Sequence, residues 1–263
     1  MVGRTQLTGG YVAAAVERVD LDLDGRAVPV VLKAASPVEV AAMRAVAVVR
    51  ETAVGRPLAV GAGWVVLPFV DAPPLADGVP VPDAVWDGLA HVHAHWWRKR
   101  PRGVPVVDGP WWASLCDRTL VAVRGGLGRT GDPAYADAER ALVAWREEPR
   151  IRHALAVLPR TLVHGDAHRG NVLGEVLIDW GNARVAPGGL DLAVLRAQGA
   201  EVPARYGDLV AELAGARAPA WESRWADVHV NVQYLGFAAD HLGRDRVAEM
   251  TAAAATALEE LEP

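Results

Sequence analysis

The 263-residue chain has almost no cysteine, no excess of positive charge and no long apolar run, and each shortage removes a class of explanation. Cys116 is the only cysteine, so neither an intrachain disulfide nor a cysteine-based zinc site is available, and its place between Leu115 and Leu120 predicts core packing. A formal charge of -5 supplies no basic field for a nucleic-acid backbone, so no nucleic-acid partner is expected. No apolar stretch reaches the length of a membrane span, and the opening Met1-Val2-Gly3-Arg4-Thr5-Gln6 lacks the apolar core of a secretion signal. A soluble, cytoplasmic protein without a membrane partner is expected, with its oligomeric state open. What the chain does have is a 51% apolar composition, enough to bury a large core in two packed lobes.

The densest chemistry lies between residues 163 and 181. Asp166 and Asn171 are five apart, the interval at which a kinase catalytic loop presents a base carboxylate and an amide oxygen for magnesium; Asp179 follows as a second metal ligand. Val172-Leu173 and Val176-Leu177-Ile178 flank Gly174-Glu175, and glycine at the first place of a two-residue turn suits a type II′ hairpin. Such a hairpin returns Asp179 to the side of Asn171. The competing reading makes Asp166 and Asp179 ordinary loop carboxylates at strand ends.

The run His164-Gly165-Asp166-Ala167-His168-Arg169-Gly170-Asn171, followed by Ile178-Asp179-Trp180, resembles the aminoglycoside phosphotransferase and choline kinase-like family. The chain departs from the family at Ala167, where a bulky apolar residue is usual, at Arg169, often proline, and in its shorter hairpin. The resemblance implies an α+β, bilobal protein-kinase-like fold, with a small β-rich N-lobe over residues 1–71 and a larger, mostly helical C-lobe over 72–263. The composition break at Ala72-Pro73-Pro74-Leu75-Ala76-Asp77-Gly78 marks that boundary.

The first 70 residues read as strand, strand, helix, strand, strand. Residues 11–20 and 26–33 are expected to be strands joined through Asp24-Gly25, and residues 57–61 and 64–70 the last strands of this part. Gly9 and Gly10 could let backbone amides approach phosphate oxygens, as the corresponding turn does in the family. Lys33 ends the apolar run Val28–Leu32, where the kinase template has the lysine that contacts the α- and β-phosphates. Glu39 is its expected ion-pair partner by resemblance, although Ser36-Pro37-Val38-Glu39 is also a capping box; Glu51 is the reserve. Leu67, Pro68, Phe69 and Val70 stand at the family's hinge, where backbone groups read the nucleotide base.

Beyond residue 82 the chain is mostly helical. Val85, Leu89, Val92 and Trp96 recur at helical spacing, widened by Trp86, His93 and Trp97, and His93 is expected to be a hydrogen-bonded core residue. His91 and His95, four apart, lack the glutamate and third ligand of a zinc site. Gly126-Leu127-Gly128-Arg129-Thr130-Gly131 has the spacing of a dinucleotide-binding fingerprint but not its strand–helix context, and is expected to be a mobile loop. Asp191 matches a family aspartate that braces the catalytic loop, an outer support like His164. Helices are expected over 203–214, 219–241 and 244–260, where the family builds its acceptor pocket. Trp221, Trp225, Asp227, Tyr234 and Asp240 are candidates to line it, and with Asp245 and Glu249 the carboxylates could attract an amine.

The resulting expectation is an enzyme using ATP or GTP with Mg2+ to move a γ-phosphoryl group to the hydroxyl of a small molecule. Asp166 is the base, Asn171 and Asp179 the magnesium ligands, and Lys33 the phosphate anchor. By resemblance the acceptor is an antibiotic or a biosynthetic intermediate. The alternatives are a sugar or amino-alcohol kinase of primary metabolism, and a nucleotide-binding pseudokinase or scaffold.

Overall fold

A computed structural model describes residues 3–7, 15–50 and 54–262. Its elements run β1 (Gly3–Gln6), β2 (Val16–Leu23), β3 (Arg26–Ala34), α1 (Pro37–Ala47), β4 (Ala59–Val60), β5 (Trp64–Pro68), α2 (Asp83–His95), α3 (Gly109–Thr130), α4 (Pro133–Trp145) and α5 (Pro149–Val157). There follow β6 (Thr161–Val163), β7 (Val172–Leu173), β8 (Val176–Leu177), β9 (Arg184–Ala186), α6 (Gly189–Arg196), α7 (Ala204–Ala214), α8 (Glu222–Phe237) and α9 (Arg244–Glu259). The chain divides into two compact units, Met1–Pro105 with Arg160–Arg217, and Val106–Pro159 with Ala218–Pro263. Among the described residues no helix is long and apolar enough to cross a membrane.

The first unit is built on an antiparallel sheet ordered β1-β2-β3-β5-β4. β2 and β3 pair from Val16↔Lys33 to Leu23↔Arg26, leaving Asp24-Gly25 as the turn. Both turn residues have positive φ, 52° and 80°, the signature of a type I′ turn whose twist matches that of the strands. β2 is described from Val16 onward; the segment 8–14, which includes the expected start of this strand, lies outside the described residues. The strand expected over 57–61 is shorter, confined to Ala59–Val60, while Leu58 N still donates to Val66 O at 2.8 Å. α1 is capped by Ser36, whose Oγ accepts from Glu39 N at 3.1 Å, and Pro37 stands in its first turn. Val40, Met43 and Val46 of α1 are buried, as are Val30 and Val65 of the sheet.

α2 packs on α7 and β6, with Val85, Trp86, Leu89, Val92 and His93 buried. Trp96 and Trp97 lie beyond its last residue; Arg98 turns the chain at φ 54°, and Trp96 Nε1 donates to Ala45 O at 3.2 Å. β6 pairs with β9 in antiparallel register, Thr161↔Ala186 through Val163↔Arg184.

The second unit is helical. The Gly126–Gly131 run, expected as a mobile loop, forms the last turns of the 22-residue α3, and Gly131 closes that helix in the left-handed conformation at φ 65°. Each interior glycine costs a helix about 1 kcal/mol relative to alanine. Packing explains one of them: a Cβ on Gly126 would sit 2.3 Å from Tyr135 Cε1 of α4. Trp112 and Leu142, together with Trp225, Val232, Leu235, Val247 and Leu258, fill the interior, each fully buried large side chain contributing about 1.5–3 kcal/mol. His229 lies among Trp111, Trp112 and Trp225, at ring-centroid distances of 5.3, 5.7 and 5.0 Å. Cys116 is buried here and burial pushes its thiol up to about 12, which suits packing and not chemistry.

Candidate active site

The loop after β6 and the loop after β8 are brought together by the hairpin between them. Val172 pairs with Leu177 and Leu173 with Val176, so the turn is Gly174-Glu175 as expected. Gly174 has φ 56° and Glu175 is not among the positive-φ residues, which selects type II′ over type I′. Ile178 N donates to Asn171 O at 2.8 Å, carrying the pairing to the residue before Asp179. Asp179 itself adopts φ 65°, a left-handed conformation uncommon for a non-glycine residue and a mark of local strain.

Within the first loop, Asn171 Nδ2 donates to Asp166 O at 2.9 Å, which leaves its side-chain oxygen for another partner. Asp166 Oδ2 accepts from Asn182 Nδ2 at 3.0 Å, with His168 Nε2 4.0 Å away. The oxygen donors of Asn171 and Asp179 are hard ligands of the kind magnesium takes, and one carboxylate with one amide is the usual protein share when substrate phosphates complete the shell. The residues therefore fit that ion.

Lys33 joins this loop to the sheet and to α1. Its Nζ lies 2.7 Å from Asp179 Oδ1 and 2.7 Å from Glu39 Oε1. Both contacts are ion pairs, and the one to Asp179 is also a hydrogen bond. Glu39 combines both sequence-level readings, since its backbone N–H is capped by Ser36 while its buried carboxylate turns to Lys33. Burial acts to lower the Lys33 pKa, but hydrogen bonds and charge from Asp179 and Glu39 outweigh it and hold the ammonium above its ordinary value. Burial raises the Glu39 carboxyl, only partly offset by Lys33. Burial also opposes ionisation of Asp179, yet the Lys33 hydrogen bond and charge leave it below the usual carboxylate range. The reserve residue Glu51 lies outside the described residues.

Beneath the loop sits a buried polar network. Asp191, on α6, accepts from His164 N at 2.7 Å and Gly165 N at 2.8 Å, and from His93 Nε2 at 3.2 Å. His93 Nδ1 meets Tyr206 Oη at 2.6 Å. Because a carboxylate only accepts, Nε2 of His93 carries a proton, and in the neutral ring Tyr206 donates to Nδ1. His93 is thus the hydrogen-bonded core histidine its sequence context suggested. His164 is fully buried; its Nε2 donates to Ile178 O at 2.7 Å and its Nδ1 accepts from Asp166 N at 3.3 Å. It spans the two loops as a neutral ring, and burial lowers its pKa. Gly165 has no room for a side chain: at φ 79°, a Cβ would lie 2.3 Å from Asn182 O.

In the stretch expected to read the base, Leu67 and Pro68 end β5, and Phe69 carries the Arg18 guanidinium 4.6 Å from its ring centroid. Pro68 has no N–H, so any base-reading amide in this stretch must come from its neighbours. Gly9 and Gly10 lie outside the described residues. The acidic acceptor candidates lie in the second unit, each near an arginine: Asp240 with Arg129 at 3.4 Å, Asp227 with Arg224 at 4.0 Å, Asp245 with Arg244 at 3.4 Å and Glu249 with Arg246 at 2.7 Å. Trp225 is buried core. Sequence reasoning missed Asn182, which carries no motif of its own, and Arg184, whose buried Nη2 donates to Gly165 O at 2.6 Å. It registered Arg169 only as a departure from the family, yet that residue is 5% exposed and bonded to two segments distant in sequence.

A five-stranded antiparallel sheet with its lysine–glutamate pair, joined through Asp179 to the loop that carries Asp166 and Asn171, is the arrangement of a protein-kinase-like fold. The chain belongs to the phosphotransferase enzyme family, whose model matches residues 5–249. Among solved structures it is similar to a candidate fructosamine-3-kinase from Thermobifida fusca, at 20% identity over 98% of this chain and 94% of the other, with TM-score 0.63. It is also similar to a choline kinase from Cryptosporidium parvum, at 9% identity over 98% and 89% of the two chains, TM-score 0.66. A third is a thermostable mutant aminoglycoside phosphotransferase in ternary complex with AMP-PNP and hygromycin B, at 16% identity over 98% and 94%, TM-score 0.57. At such identities the likeness is one of fold. No curated protein matches the chain in sequence.

Proposed function

We propose that the protein transfers the γ-phosphoryl group of ATP to a hydroxyl of a small molecule, with the nucleotide held chiefly by residues 1–71 and the reacting loop and acceptor by residues 72–263. The observation that carries this reading is Lys33 placed 2.7 Å from both Glu39 and Asp179. A pseudokinase has no need to keep this pair together with Asp166 and Asn171, so we rank the scaffold reading below the enzyme.

In the proposed mechanism the acceptor oxygen bonds to the γ-phosphorus as the bond from phosphorus to the β,γ-bridging oxygen breaks; ADP leaves and the hydroxyl proton passes to Asp166. Asp166 orients the hydroxyl, its own carboxylate held by Asn182. Lys33 fixes the phosphates, kept charged by its two carboxylates. Gly9 and Gly10 would offer amides to phosphate oxygens, and the backbone of Leu67, Pro68, Phe69 and Val70 would hold the base. Asn171 and Asp179 would hold magnesium, which when bound offsets charge on the transferring phosphoryl group. His164 and Asp191 keep the two loops in place.

The acceptor we favour is an antibiotic or a biosynthetic intermediate, as in the hygromycin-bound relative; a sugar or amino alcohol, as the choline kinase and fructosamine-3-kinase names suggest, comes second. The pull of Asp227 and Asp240 on a cationic acceptor is reduced by their arginine neighbours. Asp166→Asn is expected to lose at least about a hundred-fold in turnover, with ADP affinity within a few-fold of wild type. Asp179→Ala should instead lose magnesium-dependent nucleotide binding. ADP release over a broad panel of hydroxyl acceptors measures turnover and nucleotide titration with and without magnesium measures binding; an Asp166→Ala protein that keeps most of the wild-type rate on an identified acceptor would refute the base assignment.

A further inference from the structure

Arg169 is a buried cation held without an acid. Only 5% of it is exposed, and among the described residues no carboxylate lies within ion-pair distance. Its guanidinium is satisfied by backbone carbonyls from two separate segments. Nη1 donates to Ala76 O at 3.0 Å and to Val79 O at 2.5 Å, both in the linker that follows the hinge. Nε donates to Gln198 O at 3.0 Å, in the connection after α6, and the Arg169 backbone N–H donates to Gln198 Oε1 at 2.7 Å. A carboxylate would draw a guanidinium to one point. Carbonyls on two sides use its planar fork of donors as a bridge.

The linker is also tied to the hairpin that follows Arg169. Leu75 N donates to Val172 O at 2.9 Å, and Pro74 forms an antiparallel bridge with Leu173. The segment leaving residues 67–70 therefore runs beside β7 and ends under Arg169, three residues beyond Asp166 and two before Asn171. One continuous set of bonds links the hinge exit to the loop that carries both reacting groups. Resting on the phosphotransferase reading, we infer that Arg169 is a positioning residue: it sets the register between the strand that holds the nucleotide base and the loop that receives its phosphates. A loop displaced by a fraction of an ångström from the reacting geometry loses rate far more than affinity.

The experiment compares Arg169→Ala, Arg169→Leu and Arg169→Lys with wild type, reading turnover, ADP affinity with and without magnesium, and rescue by methylguanidinium. Arg169→Ala is expected to lower kcat about ten- to hundred-fold while metal-free ADP affinity stays within about two-fold. Methylguanidinium should restore turnover to Arg169→Ala by refilling the space between the carbonyls. It should not restore Arg169→Leu, whose side chain occupies that space. Arg169→Lys should share the defect, because one ammonium cannot bridge both segments, and it decides the matter if the alanine variant does not fold. Variants whose kcat and magnesium-dependent ADP affinity equal wild type would overturn the inference, as would a kcat loss that methylguanidinium leaves unchanged. A wild-type protein that binds no nucleotide would instead remove the phosphotransferase reading itself.

Discussion

Replacing Asp191 by alanine removes the acceptor of three donors at once: His164 N at 2.7 Å, Gly165 N at 2.8 Å and His93 Nε2 at 3.2 Å. All three are buried, so water reaches them poorly, and a buried donor left without a partner costs about 1–3 kcal/mol. Two backbone amides and a ring N–H set an upper range that relaxation reduces, so the expected loss is about 3–5 kcal/mol. Asp191→Asn keeps the shape and one acceptor oxygen but turns an amide N–H toward one of the donors, for an expected loss of about 1–3 kcal/mol. The pH dependence follows from the same contacts. Burial pushes the Asp191 carboxyl up, but the hydrogen bond from the His93 ring and that from the Gly165 N–H outweigh it and leave the group below its ordinary 3.8. The unfolded chain then binds the proton more readily than the folded one, so the stabilisation is complete above 3.8 and lost as pH falls through the lower folded value. The gap between wild type and Asp191→Asn should therefore narrow in acid. Urea unfolding followed by tryptophan fluorescence, at neutral pH and at successively lower values, measures both effects. A loss under about 1 kcal/mol for Asp191→Ala would show that water or rearrangement satisfies the donors, and the network would not be the brace described above.

Three further outcomes test neighbouring parts. Glu39→Gln keeps the cap, which uses the Glu39 N–H, but loses the charge facing Lys33; the KM for ATP should rise a few-fold at nearly unchanged melting temperature, and unchanged kinetics would reduce Glu39 to a capping residue. Gly165→Ala should cost at least about 1–2 kcal/mol from the left-handed backbone alone, with a clash against Asn182 O added, so a protein of wild-type melting temperature would contradict the loop geometry. His164 is buried neutral with a lowered pKa, so the unfolded chain takes its proton first and stability should fall as pH drops below 6.5. A His164→Asn variant should lack that part of the slope, and an identical pH profile would remove the assignment.

Local chemistry made much of this legible. Asp24-Gly25 and Gly174-Glu175 are turns because glycine supplies the positive φ they require, and that requirement is written in the residues themselves. Ser36-Pro37 marks the start of α1 for the same kind of reason. What stayed hidden depends on partners distant in sequence. Nothing near Gly126 announces Tyr135 across its missing side chain, so a glycine-rich helix end reads as a loop. Arg169 finds Ala76 and Val79 at 93 and 90 residues upstream, and its own neighbours give no hint of carbonyl partners. Asn182 likewise looks like loop filler until folding sets it 3.0 Å from Asp166. Asp240 belongs with these: its acidity was plain, but its partner Arg129 lies 111 residues upstream.

The two-residue turn between β7 and β8 has a consequence for how this chain tolerates length change. Asn171 and Asp179 are reached along opposite arms of one ladder, in which Val172 faces Leu177 and Leu173 faces Val176. Side chains alternate between faces with a period of two. Growth by one residue on each arm preserves the pairing, whereas a lone insertion or deletion must be absorbed as a bulge or else swings every later residue of that arm, Asp179 included, to the opposite face. Duplication or loss of sequence here should therefore survive selection in even steps, and an odd step should be accompanied by a bulge that restores the facing of Asp179.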